Sequence, residues 1–451
     1  MNDIERIDAS NEVQPVIERA SPTDLAFLAM DTGQVPQQFA AILILDSDDL
    51  GIAQLRRLIS DRILATPRLR QRLIKVPPGC GRPLWVDDPD FRIERHVRAV
   101  SCRPPGDEPA LLDTALSVIM HPLPRTAPLW SVVLITELAE GVTAVVVVMH
   151  HVLADGLGGV NVLATLVDPG QPPAAVPFPR PIPTVLDLTR DAWLTRLRST
   201  RRAVGSLRLL RRAMFAGGGF HPTRATPCSL MQRTGPRRQM AFVRLDRSRL
   251  AESAHRYGAT ANDAVLIAVA AALHEVLLKR GESVDPIVIT VPVSGRRSGG
   301  GSEVGNLVSP MLVDVRTSGG IDHRLGQVEA TVRAHKESAT GPPPIAILGV
   351  PFRLLARLGG YRFYMNHQHR FHTLVTHVRG PVEPVRLAGH RVVSAIPVAV
   401  AEGGNTTVCF EVLSYAGALT ITAIVDPDHG PDLDELTCSL QHQLDSITAS
   451  T

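Results

Sequence analysis

Two adjacent histidines, His150 and His151, stand directly after an apolar run at residues 142–149. The run predicts a β-strand, in which successive side chains point to opposite faces. The two imidazoles are therefore badly placed to bind one metal ion together, and we expect one to face a cavity and the other the core. A histidine at a strand end, with an ordinary pKa of about 6.5, is suited to act as a general base at neutral pH.

The loop after the histidines carries Asp155 and Gly156. Asp155 is better placed to turn back and brace the loop than to touch a substrate. Gly156 permits tight backbone geometry. The structural alternative for the whole segment is a satisfied core histidine beside a surface histidine.

The composition indicates an ordinary globular chain. Of its 451 residues, 44% are hydrophobic and 20% are charged, which excludes a disordered or fibrous chain and leaves ample material for sizeable cores. A formal net charge of +3 does not indicate a general nucleic-acid binder. The first residues are polar and mixed in charge, so they predict no secretory signal. No clean apolar run approaches the roughly 20 residues of a membrane span.

Neither cysteines nor clustered histidines predict a metal site. The five cysteines are Cys80, Cys102, Cys228, Cys409 and Cys438. They form no Cys-x-x-Cys pair, so a disulfide framework and a cysteine zinc site are both disfavoured, and a reducing cytoplasm fits best. His367, His369, His372 and His377 have no carboxylate or cysteine nearby in sequence. We interpret them as surface or tunnel-lining residues and expect no metal.

The chain divides at a proline-rich stretch. Residues 168–183 contain enough proline to prevent a helix or a central strand, and they predict a semi-rigid crossover. An arginine-rich helix is expected at 187–215, either as a solvated helix over the domain seam or as an interfacial helix attracted to anionic lipid. The predicted division is a tail at 1–20, a first domain at 21–167, the crossover and basic helix at 168–237, and a second domain at 238–451.

Both halves mix strands and helices, which predicts two α/β domains. A helix at 262–278 is apolar on nearly every side, as is typical of a buried core helix. Residues 342–372 are less regular, and the apolar and arginine-bearing part at 342–364 is either a packed helix or a lipid-facing element. Strands are expected at 39–45, 131–138, 142–149, 240–245, 287–293, 307–315, 373–378, 408–414 and 419–425, with 131–138 and 142–149 forming a hairpin.

Several segments resemble one protein family. HHVLADG at 150–156 fits the HHxxxDG signature of the CoA-dependent acyltransferase superfamily, and SPTDLAFLAMD at 21–31 resembles the opening helix of its bacterial wax ester synthase/diacylglycerol acyltransferase family. The other matching positions expected near the site are Pro128, Leu129 and Trp130 (PLW), Asn262 and Asp263 (ND), and Arg296, Gly305 and Asn306 (VPVS-x-R…GN-x-VS). The resemblance extends over nearly the whole chain.

The resemblance implies a fold and a reaction. The fold would be two chloramphenicol-acetyltransferase-like domains with mixed sheets and an active site at their interface. The reaction would move a long-chain acyl group from acyl-CoA to a diacylglycerol or a fatty alcohol. His151 would be the general base, Asp155 would hold the loop, and Asn306 is a candidate donor to the oxyanion. No metal or cofactor is implied beyond acyl-CoA as co-substrate.

Some motif residues also have structural interpretations. Trp130 at a strand start suits core packing better than an acyl channel. Asn262 and Asp263 suit the N-cap and the first-turn acid of the buried helix. The chain departs from the family pattern at His377, where the family usually has Asn, and at Leu307, where it often has Arg.

Two other functions remain open. One is a superfamily enzyme that esterifies another lipid or a polyketide alcohol. The other is a weakly active lipid-binding or droplet-associated paralogue. The expected location is the cytoplasm, with peripheral contact to the inner membrane or to lipid droplets.

Overall fold

A computed structural model describes residues 16–31, 33–64, 66–153, 156–168, 178–200, 225–294, 308–338, 344–399 and 403–449. These residues form two lobes, each built on a six-stranded sheet. A small two-stranded sheet of β2 (Gln71–Ile74) and β3 (Leu84–Asp87) accompanies the first lobe.

The first sheet has the strand order β11-β12-β1-β6-β5-β4. Its strands are β1 (Gln38–Leu45), β4 (Val97–Ser101), β5 (Trp130–Thr136), β6 (Thr143–His150), β11 (Arg386–Leu387) and β12 (His390–Ala399). β5 and β6 pair antiparallel with Trp130 opposite Met149, so the predicted hairpin is confirmed.

The described residues of the first half of the chain form six α-helices. They are α1 (Pro22–Met30), α2 (Ile52–Ile63), α3 (Ile93–His96), α4 (Glu108–Ile119), α5 (Gly156–Leu166) and α6 (Val185–Thr200). α1 begins in a capping box, in which Ser21 and Asp24 each accept a hydrogen bond from the backbone of the other. The helix predicted at 187–215 is confirmed as far as Thr200, and its remainder lies outside the described residues.

The second sheet has the order β7-β14-β13-β10-β8-β9. Its strands are β7 (Gln239–Asp246), β8 (Ile287–Ser294), β9 (Val308–Val315), β10 (Thr373–Arg379), β13 (Val408–Tyr415) and β14 (Ala418–Val425). Its helices are α7 (Arg247–His255), α8 (Ala261–Lys279), α9 (Ile321–Ser338), α10 (Pro344–Arg357), α11 (Gly360–Asn366) and α12 (Leu433–Ala449). Both sheets contain parallel and antiparallel pairs, which confirms the mixed α/β class.

The apolar helix predicted at 262–278 is α8, and it is the core helix of the second lobe. It is long and apolar enough to cross a membrane, but 78% of its most apolar window is buried inside the fold. Its side chains pack against the second sheet and α12. The absence of a polar stripe therefore reflects burial on nearly every side.

β12 was missed in the sequence, and it changes the domain division. It pairs antiparallel with β1 in the first sheet, with Pro397 opposite Ala41. The predicted second domain at 238–451 was therefore wrong for residues 386–399, which complete the first lobe. A proline inside a run argues against a strand, and this conceals β12 from pattern reasoning.

Two further corrections concern irregular segments. The tail predicted at 1–20 was wrong for its described part, because Ala20 and Glu18 form backbone hydrogen bonds with the chain at Pro83 and Trp85. The less regular stretch expected at 342–372 contains the two helices α10 and α11.

The two lobes pack through the facing surfaces of their sheets. Ile42 and Ile396 of the first sheet share one apolar cluster with Met240, Cys409 and Ile424 of the second. Burial of this apolar surface is the main attraction between the lobes.

Tyr415 adds a polar clamp to the seam. From β13 its hydroxyl donates to the carbonyl of Val392 on β12 at 2.8 Å, and it accepts from the backbone N–H of Val385 at 2.9 Å. The ring itself is buried in the first lobe's apolar cluster. The Tyr415 side chain therefore links the second sheet to residues 385–392, the segment that leads into β12 of the first sheet.

We expect Tyr415→Phe to lower the free energy of unfolding by about 1–3 kcal/mol, because the carbonyl of buried Val392 and the N–H of half-buried Val385 lose their partner. Urea unfolding followed by circular dichroism measures the change. Tyr257→Phe, at an exposed tyrosine, is the matched control and should leave stability within about 0.5 kcal/mol of wild type. Equal free energies of unfolding for the two variants would show that the Tyr415 hydroxyl does not stabilise the seam.

Candidate functional site

The two predicted histidines lie at the end of β6 and in the turn that follows it. His150 is buried and His151 is partly exposed, so the core position expected for one of the two is confirmed. The backbone N–H of His150 donates to the carbonyl of Leu129 at 3.0 Å, and that of His151 donates to the carbonyl of Gln37 at 3.0 Å. Both histidines are thus fixed by neighbouring strands or the loops that enter them.

The His150 imidazole is held at both ring nitrogens. Its Nδ1 accepts from the backbone N–H of Val152 at 3.0 Å, so the ring proton stands on Nε2. Nε2 donates to Oδ2 of Asp31 at 3.2 Å. The ring therefore closes the turn that carries His151 and fixes that turn to the end of α1.

Asp31 is the functional residue that the sequence analysis missed. It caps the C-terminal end of α1 and also accepts from Arg125 at 2.6 Å and from the backbone N–H of Gln37 at 3.2 Å. Burial opposes ionisation, but the hydrogen bonds from His150 and Arg125 prevail and lower the pKa of Asp31 to about 2. The only sequence signal is its place as the last letter of the segment that resembles the family's opening helix.

The His151 ring lies between two phenylalanines. Phe27 of α1 stacks on it with ring centroids 5.5 Å apart, and Phe39 of β1 lies tilted at 4.9 Å. Burial, and secondarily the neighbouring His150, lowers the pKa of His151 to about 4. The imidazole is consequently neutral at pH 7 and keeps one nitrogen free of a proton.

α5 packs directly behind this arrangement. A Cβ at Gly159 would lie 2.6 Å from the Phe39 ring, closer than side chains tolerate. Glycine is therefore required for the helix to approach Phe39, and this contact supports the ring that touches His151. Gly156, which was predicted to support the loop, is the first residue of α5.

The PLW residues support the site from behind. Leu129 provides the carbonyl that binds the His150 N–H, and Pro128 is buried beside it. Trp130 is buried, donates from Nε1 to the carbonyl of Leu69 at 2.7 Å and stacks on His96 at 4.6 Å. These contacts confirm the core-packing interpretation of Trp130.

The ND residues lie at the start of α8. The N-cap is Thr260, so the expectation that Asn262 caps the helix was wrong. Asp263 completes a capping box with Thr260, which confirms its role as a first-turn acid. Asn262 accepts from Nδ1 of His377 at 3.2 Å, and Nε2 of His377 lies 2.9 Å from Oγ of Ser414.

His377 is a neutral, structural histidine. Burial first, and then the charges of Arg379 and Arg247, lower its pKa to about 4. The departure from the family pattern at this position thus supplies a hydrogen bond between β10 and the start of α8, which His377 makes with Asn262. Elsewhere in the cluster, His372 is fully buried between backbone groups of Val288 and Thr226, so its surface or tunnel-lining interpretation was wrong.

Four predicted site residues lie outside the described part of the chain. They are Asp155, Arg296, Gly305 and Asn306. Their proposed roles as loop brace, motif residues and oxyanion donor stay predictions. Within the described ranges, no group of three histidine, cysteine or acidic side chains could hold a metal ion.

A polar cleft opens between the lobes beside the site. Its lining includes Gln34 and Gln37 from the loop before β1, and Arg233, Tyr361 and Arg362 from the second lobe. Gln37 is also the residue whose carbonyl holds the His151 N–H. Gln37 is thus shared by the wall of the cleft and by the hydrogen bond that positions His151.

This two-lobed architecture is that of the CoA-dependent acyltransferase and condensation-domain fold. A wax ester synthase/diacylglycerol acyltransferase from Marinobacter aquaeolei aligns with a TM-score of 0.68 at 21% identity, over 96% of this chain and 99% of that one. The first condensation domain of the CDA synthetase aligns with a TM-score of 0.62 at 18% identity, over 96% and 95%. The expected fold is thus confirmed.

Sequence comparison identifies the family. Residues 20–265 match the wax ester synthase/diacylglycerol acyltransferase catalytic domain, and residues 302–448 match the WS/DGAT C-terminal domain. A probable diacylglycerol O-acyltransferase of Mycobacterium tuberculosis, tgs1, is 27% identical and covers 100% of this chain and 96% of its own length. The chain therefore belongs to the wax ester synthase/diacylglycerol acyltransferase family, and it is an acyltransferase.

We expect Asp31→Asn to lower kcat/KM by roughly 10–100-fold, because a loosened His150 displaces His151 from its working position. The loss should fall mainly on kcat, since Asp31 lies behind the histidines. Steady-state kinetics with acyl-CoA and a lipid acceptor measures it. Asp49→Asn is the matched control, because Asp49 pairs with His390 at 3.4 Å on the surface. Unchanged kinetics for Asp31→Asn would show that the carboxylate does not position the site.

Proposed function

We propose that this enzyme transfers a long-chain acyl group from acyl-CoA to the free hydroxyl of a diacylglycerol, and that a fatty alcohol is the second acceptor. His151 is the general base. The observation that carries the proposal is a neutral imidazole, partly exposed at the end of β6 and held between Phe27 and Phe39. The diacylglycerol O-acyltransferase name of the Mycobacterium tuberculosis relative supports the choice of acceptor.

The reaction needs one proton carrier and no covalent acyl-enzyme. The unprotonated nitrogen of His151 takes the hydroxyl proton as the acceptor oxygen attacks the thioester carbonyl. A tetrahedral oxyanion forms and collapses, the carbon–sulfur bond breaks, and the CoA sulfur leaves. The imidazolium returns the proton to that sulfur, so the products are an ester and free CoA.

The two phenylalanines influence both protonation states of the base. Before reaction they exclude water and keep the imidazole neutral, so nearly all of the enzyme is in the active form at pH 7. During reaction the ring gains a positive charge, and an aromatic face within about 6 Å attracts a cation. The aromatic contacts therefore offset part of the desolvation that lowers the pKa of His151.

Contact with a membrane or a lipid droplet belongs to the same proposal. A diacylglycerol and a long-chain ester are both insoluble in water, so a cytoplasmic enzyme that uses them has to work at a lipid surface. The enzyme would accordingly be cytoplasmic and peripheral, with no nucleic acid among its partners.

We expect His151→Ala to lower kcat by about 10²–10⁴-fold, the usual contribution of a positioned base. Release of free CoA thiol, measured with purified protein and dispersed diacylglycerol, gives the rate. His442→Ala on the exposed face of α12 is the control and should act as wild type. If wild type and His151→Ala release CoA equally slowly, the general-base role and the enzyme assignment to this site are lost.

The pKa of His151 predicts an unusual pH profile. Since burial lowers it to about 4, the base stays deprotonated down to pH 5, and kcat/KM should fall only below that. Relative to pH 7.5, a base with pKa near 4 keeps about 97% of kcat/KM at pH 5.5, whereas a base at about 6.5 keeps roughly 10%. Rates at fixed ionic strength, with folding checked by circular dichroism, decide between them. A midpoint near pH 6.5 in the profile of kcat/KM would contradict the lowered pKa of His151.

A further inference from the structure

The end of α10 and the start of α11 form an exposed apolar protrusion. We call Leu354, Leu355, Leu358, Phe363 and Tyr364 the apolar knob. Leu358 is 85% exposed and Phe363 is 67% exposed. Scattered single apolar residues on a surface need no explanation, but five exposed apolar side chains within residues 354–364, at one helix junction, indicate a docking surface.

The knob is held by a firm scaffold. Gly359 has a φ of 83°, in the left-handed region that glycine adopts at little cost, and it ends α10 in a sharp turn. The rings of Phe352 and Tyr361 pack edge to face across that turn with centroids 5.6 Å apart. α10 also lies along α1, the helix that carries Phe27 and ends at Asp31. The apolar side chains are therefore presented by an element that packs on α1.

The charge around the knob selects the kind of surface it fits. Arg357 and Arg362 are exposed beside it, Arg353 is partly exposed, and residues 344–366 contain no acidic side chain. Arginine beside exposed leucine and aromatic side chains is the composition of elements that lie in the headgroup region of anionic membranes.

The knob also adjoins the interlobe cleft. α11 presents Phe363 and Tyr364 to solvent, while its residues Tyr361, Arg362 and Asn366 line the cleft. The opposite wall of the cleft includes Gln37, whose carbonyl holds the His151 N–H. One short helix therefore lies between the exposed apolar surface and the interlobe cleft.

We propose that the apolar knob docks on an anionic phospholipid surface and that the acyl acceptor passes from that surface into the cleft walled by α11. The passage of the acceptor rests on the proposed function, whereas the docking does not. α6 exposes a second apolar stripe at Leu186, Trp193 and Leu197, but among the described residues none from α6 lines the cleft.

Vesicle flotation tests the docking. Wild type should bind vesicles with about 30 mol% phosphatidylglycerol at least fivefold better than pure phosphatidylcholine vesicles, and sodium chloride at about 0.5 M should weaken the binding. The variant Leu354→Ser, Leu358→Ser and Phe363→Ser should bind at least tenfold more weakly. Leu278→Ser, Val382→Ser and Val393→Ser, at comparably exposed positions elsewhere, form the matched control and should bind as wild type. Wild-type-like binding by the knob variant, or no binding by wild type, overturns the proposal.

An added fluorophore tests the same contact without removing apolar surface. Tryptophan introduced by Leu358→Trp should be quenched by brominated lipid chains in anionic vesicles. Val382→Trp, at a position 82% exposed, should not be quenched beyond wild type. Equal quenching of the two added tryptophans contradicts docking through the knob, even if the serine variant proves unstable.

An activity measurement separates this inference from the proposed function. The serine knob variant should keep the wild-type rate with detergent-dispersed diacylglycerol and lose at least about fivefold with diacylglycerol embedded in anionic vesicles. An equal rate in both assays overturns acceptor delivery through this surface. A wild-type protein that binds vesicles through the knob but releases no CoA with any acceptor would refute the proposed function and leave the docking surface intact.

Discussion

The imidazole of His150, bound at both nitrogens, is the interaction on which the site depends. One nitrogen accepts from the Val152 amide and the other donates to Asp31, so a single ring joins β6, the turn after it and the end of α1. His151 occupies that turn, with its own amide bound to Gln37. A buried ring with both nitrogens satisfied can take few other orientations, because an unpaired buried polar atom costs about 1–3 kcal/mol. The fixed orientation of His150 thus also restricts the position of His151, which lies in the turn that His150 closes.

A general base has to be unprotonated before the reaction and basic enough to accept a proton during it. The environment of His151 serves both requirements. An imidazole in water at pH 6.5 is half protonated, and its protonated half cannot accept a proton. Enclosure by Phe27 and Phe39 removes this loss by disfavouring the charged form. The same enclosure weakens the base, and the two aromatic faces, which attract the imidazolium as it forms, limit that disadvantage. Gly159 supports the enclosure of His151, because any larger side chain at this position would displace Phe39.

The lobes meet beside the site, and both the chain itself and side-chain contacts link them there. β12 leaves the second lobe to pair with β1, the strand that carries Phe39. Tyr415 of β13 donates a hydrogen bond to the carbonyl of Val392 on β12 and so links the two lobes. Opening the seam would therefore strain the sheet that holds the site. The cleft between the loop before β1 and α11 lies at the edge of this seam.

The sequence alone determined the local part of this arrangement. An apolar run that ends in two histidines predicts a strand with one of them buried, a helix with no polar stripe must be buried, and the ordered motifs from 21–31 to 305–306 resemble one family. Asp31 as the partner of His150, β12 as a strand of the first sheet, and Asn262 as the partner of His377 were decided by tertiary structure. These contacts join residues at least 115 positions apart, and nothing in their local spacing predicts them. The low pKa of His151 has the same origin, because burial between side chains of two distant elements, and not the residue type, sets its charge.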